Sequence, residues 1–473
     1  MEDSRISTGC EGLDHILGGG LPPHKTYMVR GGPGHGKTSL GLQFLSAARP
    51  LGPALYIGFQ ETEEQLRDNA GRQALDIDGL HLLSLVPDES LFAHNQSYDL
   101  FHPVEVEFEP LVKRILDAVE SCRPATVFID SVSHLHLLFS DAYQFRAQVL
   151  SFLRYLREQG CTVLFSSEIG EQASDVDLQF LADGVIELGA ERHYGYLQVR
   201  KLRGARFMPG RHQCRVGSRG VQAFPHHVPP VARTEAPDSE RLSSGNDRLD
   251  RLLGGGLEPG SVTLITGPSG VGKSTLAACY ARQAIHRGGV LIYLFEEELP
   301  FYLKRAADLD LSLAPFQRDG LLEIEQVEPM RYLVDEFLDR VRCRVEALDT
   351  RLVILDSVSG FELSLNGEHL KDRIHAFAKG LARRGISVIL INEIQAMSGP
   401  LALTERGISY LADNVLLLNY REDGERMGKM LGVLKKRVGS FDNRICAYRI
   451  GQGGLQLSDD EVDTSLLNRG PGA

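Results

Sequence analysis

The sequence predicts an α/β protein with two tandem domains, each a mostly parallel β-sheet flanked by helices. Three observations predict this fold class. The second half of the chain repeats the first, short apolar runs alternate with helical patterns inside each half, and each half carries one glycine-rich phosphate-binding motif. Strands that alternate with helices favour parallel pairing, because a parallel neighbour is reached through a crossover helix.

The internal repeat is long and keeps one order. Residues 7–40 align without a gap with residues 243–276, and both stretches contain the triplet GGG. Later in each half, VFIDSVS corresponds to VILDSVS, TVLFSSEI to SVILINEI, and LADGVIEL to LADNVLLL. An ordered series of this kind indicates a tandem duplication.

The two copies are separated by a segment with several prolines and no periodic pattern of apolar residues. Such a segment is typical of a linker. We therefore expect a first domain over 1–228, a linker over 229–242, a second domain over 243–457 and a short acidic tail over 458–473.

Runs rich in β-branched residues predict the strands of the first copy, which are TYMV, ALYIGF, TVFID, TVLFS and GVIEL. Apolar residues at helical spacing predict crossover helices over 109–122 and 144–160. Residues 84–109 show no clear period, so we expect a long loop there.

Composition argues against several classes of protein. The chain has 473 residues, 42% of them hydrophobic, and a formal net charge of −12, so nucleic acid is an unlikely main partner. Its seven cysteines form no CxxC pair, which argues against a zinc site or a disulfide framework. No signal peptide and no apolar run of about 18 residues is visible. We expect a cytoplasmic protein without a membrane partner.

The glycine-rich motifs GGPGHGKT (31–38) and GPSGVGKS (267–274) both fit the phosphate-binding pattern G-x-x-x-x-G-K-[ST]. Each follows a predicted strand and opens a predicted helix, so backbone N–H groups and the helix N-terminus would face the phosphates of ATP. We expect Lys37 and Lys273 to reach the β- and γ-phosphates, and the hydroxyls that follow them to ligate Mg²⁺. The other expected nucleotide contacts are Pro33, Gly34, His35, Gly36, Thr38 and Ser39 in the first loop, and Ser269, Gly270, Val271, Gly272, Ser274 and Thr275 in the second.

Asp130 and Asp356 end apolar strands in TVFID and LVILD. A carboxylate at that edge of a parallel sheet faces the phosphates and would hold Mg²⁺ directly or through water, as a Walker B aspartate does. The structural alternative is an N-cap for the helix that follows.

A second pair of acidic stretches, FQET (59–62) and FEEE (295–298), follows another strand in each copy. Glu296 and Glu297 would orient and deprotonate the attacking water, unless they form a solvated acidic patch. In the first copy Gln60 replaces Glu296, while Glu61 matches Glu297. A glutamine holds water by hydrogen bonds but takes no proton from it near neutral pH.

Basic residues come late in each copy, in KLRG (Lys201, Leu202, Arg203) and KKRVG (Lys435, Lys436, Arg437). Their charge would stabilise a transferring phosphoryl group, from the same chain or from a neighbouring subunit. On charge alone, basic turns at the surface are the favoured interpretation.

The paired loops, the pair FQET and FEEE, the DSVS segments and KLRG together resemble the KaiC family of RecA-like P-loop ATPases. The resemblance runs from about residue 6 to residue 457. It implies two RecA-like domains, a homohexamer of two stacked rings and ATP at the subunit interfaces. It also implies that Glu296 is the catalytic glutamate and lies with Ser274 at Mg²⁺, and that Lys201 and Arg203 reach the neighbour's nucleotide, as do Lys435 and Arg437.

Two departures from the family pattern matter. Clock members carry an autophosphorylated Ser-Thr pair in the second domain, where this chain has Ser409 followed by Tyr410. We expect no two-site phosphorylation cycle, and Ser409 is the one candidate phosphosite. The C-terminal segment of this sequence is short and acidic, whereas clock members carry a longer segment that docks their regulator. A KaiA-type partner is therefore not expected.

The leading hypothesis is therefore a hexameric ATPase that acts in signalling or timing, with a mainly nucleotide-holding first domain and a hydrolytic second domain that also phosphorylates Ser409. One alternative is a DNA-dependent motor of RecA, RadA or DnaB type, which needs a basic, aromatic-bearing channel loop. The other is a scaffold that binds nucleotide in both domains without turning it over.

Overall fold

The computed structural model describes residues 5–86, 105–135, 142–169, 175–191, 194–226, 240–364, 370–394, 412–423 and 426–461. The chain divides into two compact units, Met1–His226 and His227–Ala473. Each unit contains one nine-stranded sheet.

The sheet of the first unit has the strand order β3-β2-β4-β5-β1-β6-β7-β8-β9. Its strands from β3 to β6 pair in parallel, and β6 to β9 pair antiparallel. The strands are β1 (Thr26–Gly31), β2 (Ala54–Gly58), β3 (His81–Ser84), β4 (Thr126–Asp130), β5 (Thr162–Glu168), β6 (Gly184–Glu191), β7 (Tyr194–Leu202), β8 (His212–Gly217) and β9 (Gly220–Phe224).

Helices cover both faces of this sheet. Successive residues of a strand point to opposite faces, so Met28 packs with one helix layer while Val29 packs with the other. This explains why the strands are apolar throughout rather than alternating. The helices are α1 (Glu11–Ile16), α2 (Lys37–Ala48), α3 (Glu63–Arg72), α4 (Glu105–Cys122), α5 (Val132–Leu135), α6 (Ala142–Glu158) and α7 (Val176–Leu181).

The second unit repeats this architecture with the order β12-β11-β13-β14-β10-β15-β16-β17-β18. Its strands are β10 (Val262–Gly267), β11 (Gly289–Leu294), β12 (Leu322–Gln326), β13 (Thr350–Asp356), β14 (Ser387–Glu393), β15 (Asn414–Asp423), β16 (Arg426–Lys436), β17 (Cys446–Gly451) and β18 (Gly454–Glu461). Its helices are α8 (Asp247–Leu252), α9 (Lys273–Ala284), α10 (Leu299–Asp308), α11 (Ala314–Arg318), α12 (Val334–Ala347), α13 (Val358–Ser364) and α14 (Leu370–Arg383).

The predicted fold class is confirmed: each unit is a mostly parallel sheet flanked by helices. All five predicted strands of the first copy are present, and the predicted crossover helices correspond to α4 and α6. The prediction missed the antiparallel strands at the edge of each sheet. These strands are partly exposed on one face and carry polar residues. They therefore lack the uniformly apolar sequence by which the buried strands were predicted.

Two predicted boundaries differ from the structure. Helix α4 begins at Glu105, inside the segment expected to be a long loop, while residues 87–104 of that segment lie outside the described residues. Strand β18 continues to Glu461, so the first residues expected in the acidic tail belong to the sheet. Within the described part of the chain, no helix combines the length and the apolar character needed to cross a membrane.

Candidate functional site

The candidate site of each unit lies at the carboxyl edge of the parallel strands. Here β1 runs into the first phosphate-binding loop, β2 ends before Gln60, and β4 ends at Asp130. Because these strands run parallel in one sheet, residues far apart in the sequence meet at one edge. The second unit gathers Lys273, Glu296 and Asp356 in the same way.

Both phosphate-binding loops have the same backbone form. Gly36 and Gly272, which immediately precede the helices that follow the loops, have φ angles of 90° and 111°. Residues with a side chain rarely adopt these angles, so the motif glycines are required by the turn. The turn exposes the first N–H groups of α2 and α9 at the carboxyl edge, where an anion would bind.

The lysines of the two loops are nearly buried and fold back onto their own loops. Lys37 donates hydrogen bonds to the carbonyls of Gly31 and Gly32 at 3.0 and 2.9 Å. Lys273 donates to the carbonyl of Pro268 at 2.7 Å. Burial lowers the pKa of both ammonium groups, and nearby carboxylates oppose this shift. Neutral carbonyl partners leave the positive charge available to a polyphosphate.

A hydroxyl and a carboxylate meet beside each lysine. Thr38 Oγ1 donates to Asp130 Oδ2 at 2.5 Å in the first unit. In the second unit the Ser274 hydroxyl donates to Asp356. Hard oxygen atoms of this kind beside a phosphate loop are the donors that Mg²⁺ prefers. The residues therefore fit a magnesium ion bound together with nucleotide.

The two aspartates lie in different surroundings. Asp130 also accepts a hydrogen bond from Ser166 Oγ at 2.5 Å. By strand register, the position of Ser166 is taken in the second unit by Ile391, which has no hydrogen to donate. Burial raises the pKa of Asp356 to about 6, although the hydrogen bond from Ser274 acts in the opposite direction.

This shift predicts that Asp356→Asn stabilises the nucleotide-free protein at neutral pH. The folded-state pKa lies above the ordinary value of 3.8. The folded state therefore holds the extra proton between these two pH values, and the free energy of unfolding falls as pH rises through that window. A pKa difference of this size lowers the free energy of unfolding at neutral pH by about 3 kcal/mol. We expect Asp356→Asn to recover roughly 1–3 kcal/mol of it.

The measurement is thermal unfolding in EDTA at pH 7.5 and pH 4, with Asp319→Asn as a control at an exposed aspartate of the same unit. The melting temperature of Asp356→Asn should rise at pH 7.5 and change little at pH 4. An equal change at both pH values would contradict the assignment of the effect to the buried charge.

In the second unit, Glu296 and Glu297 lie in a cleft of about 700 Å³ together with the phosphate loop and Asp356. Glu296 is exposed to the cleft and passes over Gly360 of α13. Glu297 is half-buried and forms an ion pair of 2.9 Å with Arg305 of α10. Burial raises the pKa of Glu297, and Arg305 opposes this shift. The carboxylate of Glu296 is thus the more available of the two to a water molecule.

The first unit arranges the corresponding residues differently. Gln60 is hydrogen-bonded to His134 Nε2, and His134 Nδ1 lies 2.8 Å from Ser131 Oγ. Glu61 accepts from Asn69 Nδ2 at 3.2 Å, where the second unit has the ion pair with Arg305. Neither Gln60 nor Asn69 carries a charge, so this edge of the first site has lost one carboxylate and one guanidinium relative to the second.

The KLRG residues lie at the opposite end of the sheet from the phosphate loop of their own unit. Lys201 pairs with Val185 near the start of β6 and donates to the carbonyl of Ala182 at 2.7 Å. Arg203 is exposed and pairs with Asp183 at 3.8 Å. The six residues of β1 separate the two ends by about 17 Å. These side chains therefore lie away from the nucleotide site of their own unit.

KKRVG has the same geometry with one exception. Lys435 donates to the carbonyl of Ala412 at 2.8 Å, and Arg437 pairs with Asp413 at 3.1 Å. Lys436 instead points into the unit, where its side chain is 0% exposed and forms an ion pair of 2.7 Å with Glu258. An ammonium group buried with a carboxylate is not free to bind a nucleotide, so Lys436 has a structural role in this arrangement.

Three features of the site escaped the sequence analysis. Glu168 and Glu393 end β5 and β14 beside the phosphate loops and act electrostatically on the lysines. The sequence does contain evidence for these two glutamates, because the corresponding segments SSEI and INEI both place a glutamate at the end of a strand. The contacts of His134 and Arg305 had no such signal, since these residues differ between the copies. Ser409 lies outside the described residues.

Comparison with known proteins extends over both units. The family model described as "ATPase: KaiC" matches residues 6–228 and 242–462. The circadian clock oscillator protein KaiC of Parathermosynechococcus lividus is 26% identical over 470 residues, which cover 96% of this chain and 85% of that protein. The KaiC proteins of Picosynechococcus sp. and Thermostichus vulcanus are also 26% identical, over 96% and 97% of this chain and 90% of each relative.

Proposed function

The chain belongs to the KaiC family of ATPases, and on that basis we propose that it is a tandem ATPase with two unequal sites, assembled as a homohexamer. The first site holds ATP mainly to keep the subunits together. The second site hydrolyses ATP. The relatives are clock oscillator proteins, and we assign this chain a related role in signalling or timing in the cytoplasm.

The observation that carries the proposal is the difference between Glu296 and Gln60 at corresponding positions. Hydrolysis needs a water molecule aligned with the γ-phosphate and a group that receives its proton. Glu296 offers a carboxylate exposed to the cleft of the second unit. Gln60 offers an amide, and that amide already contacts His134. The second site is therefore the better equipped for turnover.

The remaining side chains of the second site have supporting roles. Lys273 would bind the β- and γ-phosphates from inside the loop. Ser274, Asp356 and Glu296 would hold Mg²⁺, which neutralises the charge on the phosphates when it is bound. Thr38 and Asp130 would do the same in the first site.

The assembly part of the proposal rests on the exposed arginines Arg203 and Arg437. Each lies at the end of the sheet opposite the phosphate loop of its own unit, together with Lys201 or Lys435. A ring in which this end of one subunit faces the phosphate loop of the next would supply positive charge to the neighbour's ATP. Nucleotide would then bridge subunits, which makes assembly depend on ATP.

Mass measurement and phosphosite mapping of the ATP-bound particle test this function together. We expect a particle of six chains of 52.2 kDa with ATP and a smaller one without it. Phosphate on Ser409 after incubation with Mg-ATP would support autokinase activity, and a Ser409→Ala variant is the matched control. A monomer in saturating ATP would contradict the proposed assembly, and ATP-dependent assembly without turnover would favour a scaffold.

A further inference from the structure

Two residues that touch each other in the first unit both differ from their counterparts in the second. The repeat aligns IDSVSH with LDSVSG, so His134 corresponds to Gly360, and Gln60 corresponds to Glu296. His134 and Gln60 are 74 residues apart in the sequence and share a hydrogen bond. A paired difference at a contact indicates that the two side chains act together.

In the second unit, the positions of Phe295 and Glu296 leave no room for a side chain on Gly360. A Cβ atom there would lie 2.7 Å from Phe295 Cβ and 2.9 Å from Glu296 Cγ. Gly360 is buried, and its N–H donates to Ser357 Oγ at 3.0 Å, so its backbone is held in place. Glycine at this position therefore accommodates both Phe295 and the conformation that Glu296 adopts.

In the first unit, the imidazole of His134 links Gln60 to the buried Ser131. The amide nitrogen of Gln60 only donates, so His134 Nε2 accepts its hydrogen. The ring proton is then on Nδ1 and is donated to Ser131 Oγ at 2.8 Å. With its nitrogen held by His134, Gln60 keeps its carbonyl oxygen as the group that accepts a hydrogen bond from water.

We propose that His134 is a positioning residue of the first site, which holds Gln60 in one orientation and excludes the conformation that Glu296 has in the second site. The inference rests on the proposed function, because it explains how the weaker site works. The water oxygen bonds to the γ-phosphorus as the bond to the ADP oxygen breaks. Since Gln60 takes no proton, the proton of the water passes to the released phosphate.

A consequence is that Gln60→Glu alone does not rebuild the second site's arrangement. His134 carries a side chain at the position of Gly360, where even a Cβ atom would lie 2.9 Å from Glu296 Cγ. Only Gln60→Glu together with His134→Gly restores both members of the pair. The gain from the double substitution should therefore exceed the product of the two single effects, as expected for residues in contact.

The test uses a Lys273→Ala background, in which ATP turnover is that of the first site. We expect His134→Phe, which keeps a ring but removes the acceptor, to lower kcat about fivefold while KM for ATP changes by less than about twofold. His134→Asn keeps an acceptor and should recover part of the loss. Gln60→Glu should change kcat by less than about threefold, and the double substitution should raise it about tenfold or more.

Unchanged kcat in His134→Phe, or full activation by Gln60→Glu alone, would overturn the inference. A mirror variant gives independent evidence if the first-unit variants fail to fold: Gly360→His in the otherwise unchanged chain should displace Glu296 and lower turnover about tenfold with ATP binding retained. Gly71→Ala is its control, because a Cβ at Gly71 meets nothing within 4 Å. If Lys273→Ala by itself leaves turnover intact, the proposed division of work fails instead, and this result is distinguishable from a failure of the His134 variants.

Discussion

Glu296→Gln lowers the ATP turnover of the whole chain by roughly 10²-fold or more, the usual contribution of a general base. The substitution keeps the size of the side chain and its ability to hydrogen-bond. It removes the negative charge, and with it the capacity to take a proton and the anionic oxygen proposed to bind Mg²⁺. It also gives the second site the residue that the first site has naturally. The measurement is steady-state release of phosphate under saturating Mg-ATP, together with the amount of nucleotide bound.

Two glutamates of the same segment serve as comparisons. Glu298 is exposed and its side chain makes no hydrogen bond to the start of α10, so Glu298→Gln should leave turnover unchanged. Glu297→Gln removes the carboxylate that pairs with Arg305 and should have an intermediate effect. If ATP turnover is unchanged in Glu296→Gln, the assignment of hydrolysis to Glu296 in the second site is wrong.

Lys37→Ala abolishes ATP-dependent assembly at moderate ATP concentrations, whereas Lys273→Ala preserves assembly and loses most turnover. Each lysine is nearly buried inside its loop, so alanine removes a charge that would bind phosphate at short range. Loss of a charged hydrogen bond of this kind costs about 1.5–3 kcal/mol, or roughly 10- to 150-fold in ATP affinity. The first-unit variant should therefore assemble again at high ATP.

The readouts for this pair are particle mass across an ATP titration and phosphate release in the same samples. Lys113→Ala, at an exposed lysine of α4, is the control for loss of one positive charge from the first unit. The proposed division of work is contradicted if both P-loop variants lose assembly and turnover to the same degree, because the two sites would then be equivalent.

Much of the fold and of the candidate site could be predicted because the evidence for it is local in the sequence. The strands next to the phosphate loops are buried on both faces, and their sequences are therefore uniformly apolar. The P-loop pattern reports a turn whose glycines need unusual φ angles. Asp130 and Asp356 are the last residues of their strands, so parallel pairing alone brings them to the edge where the phosphate loops lie.

Other features could not be predicted because they depend on distant contacts. Lys435 and Lys436 are neighbours in the sequence, yet Lys435 reaches a carbonyl at the sheet end while Lys436 is buried with Glu258. Adjacent residues of a strand point to opposite faces, and only the packed unit shows which face holds a buried carboxylate. The antiparallel edge strands escaped prediction for a related reason, since partial exposure removes the apolar signal.

By itself, the sequence determined the duplication, the α/β class, the two phosphate loops and the exchange of glutamate for glutamine at Gln60. The tertiary structure decided what that exchange means. In the first unit His134 contacts Gln60, and in the second unit Glu296 lies close to Gly360. The difference between Gln60 and Glu296 is therefore accompanied by a second difference, between His134 and Gly360. The tertiary structure also separates the KLRG arginine from the phosphate loop of its own unit. The physical reason is that motifs are set by local backbone geometry, whereas the contacts of a side chain are set by the packing of segments remote in the chain.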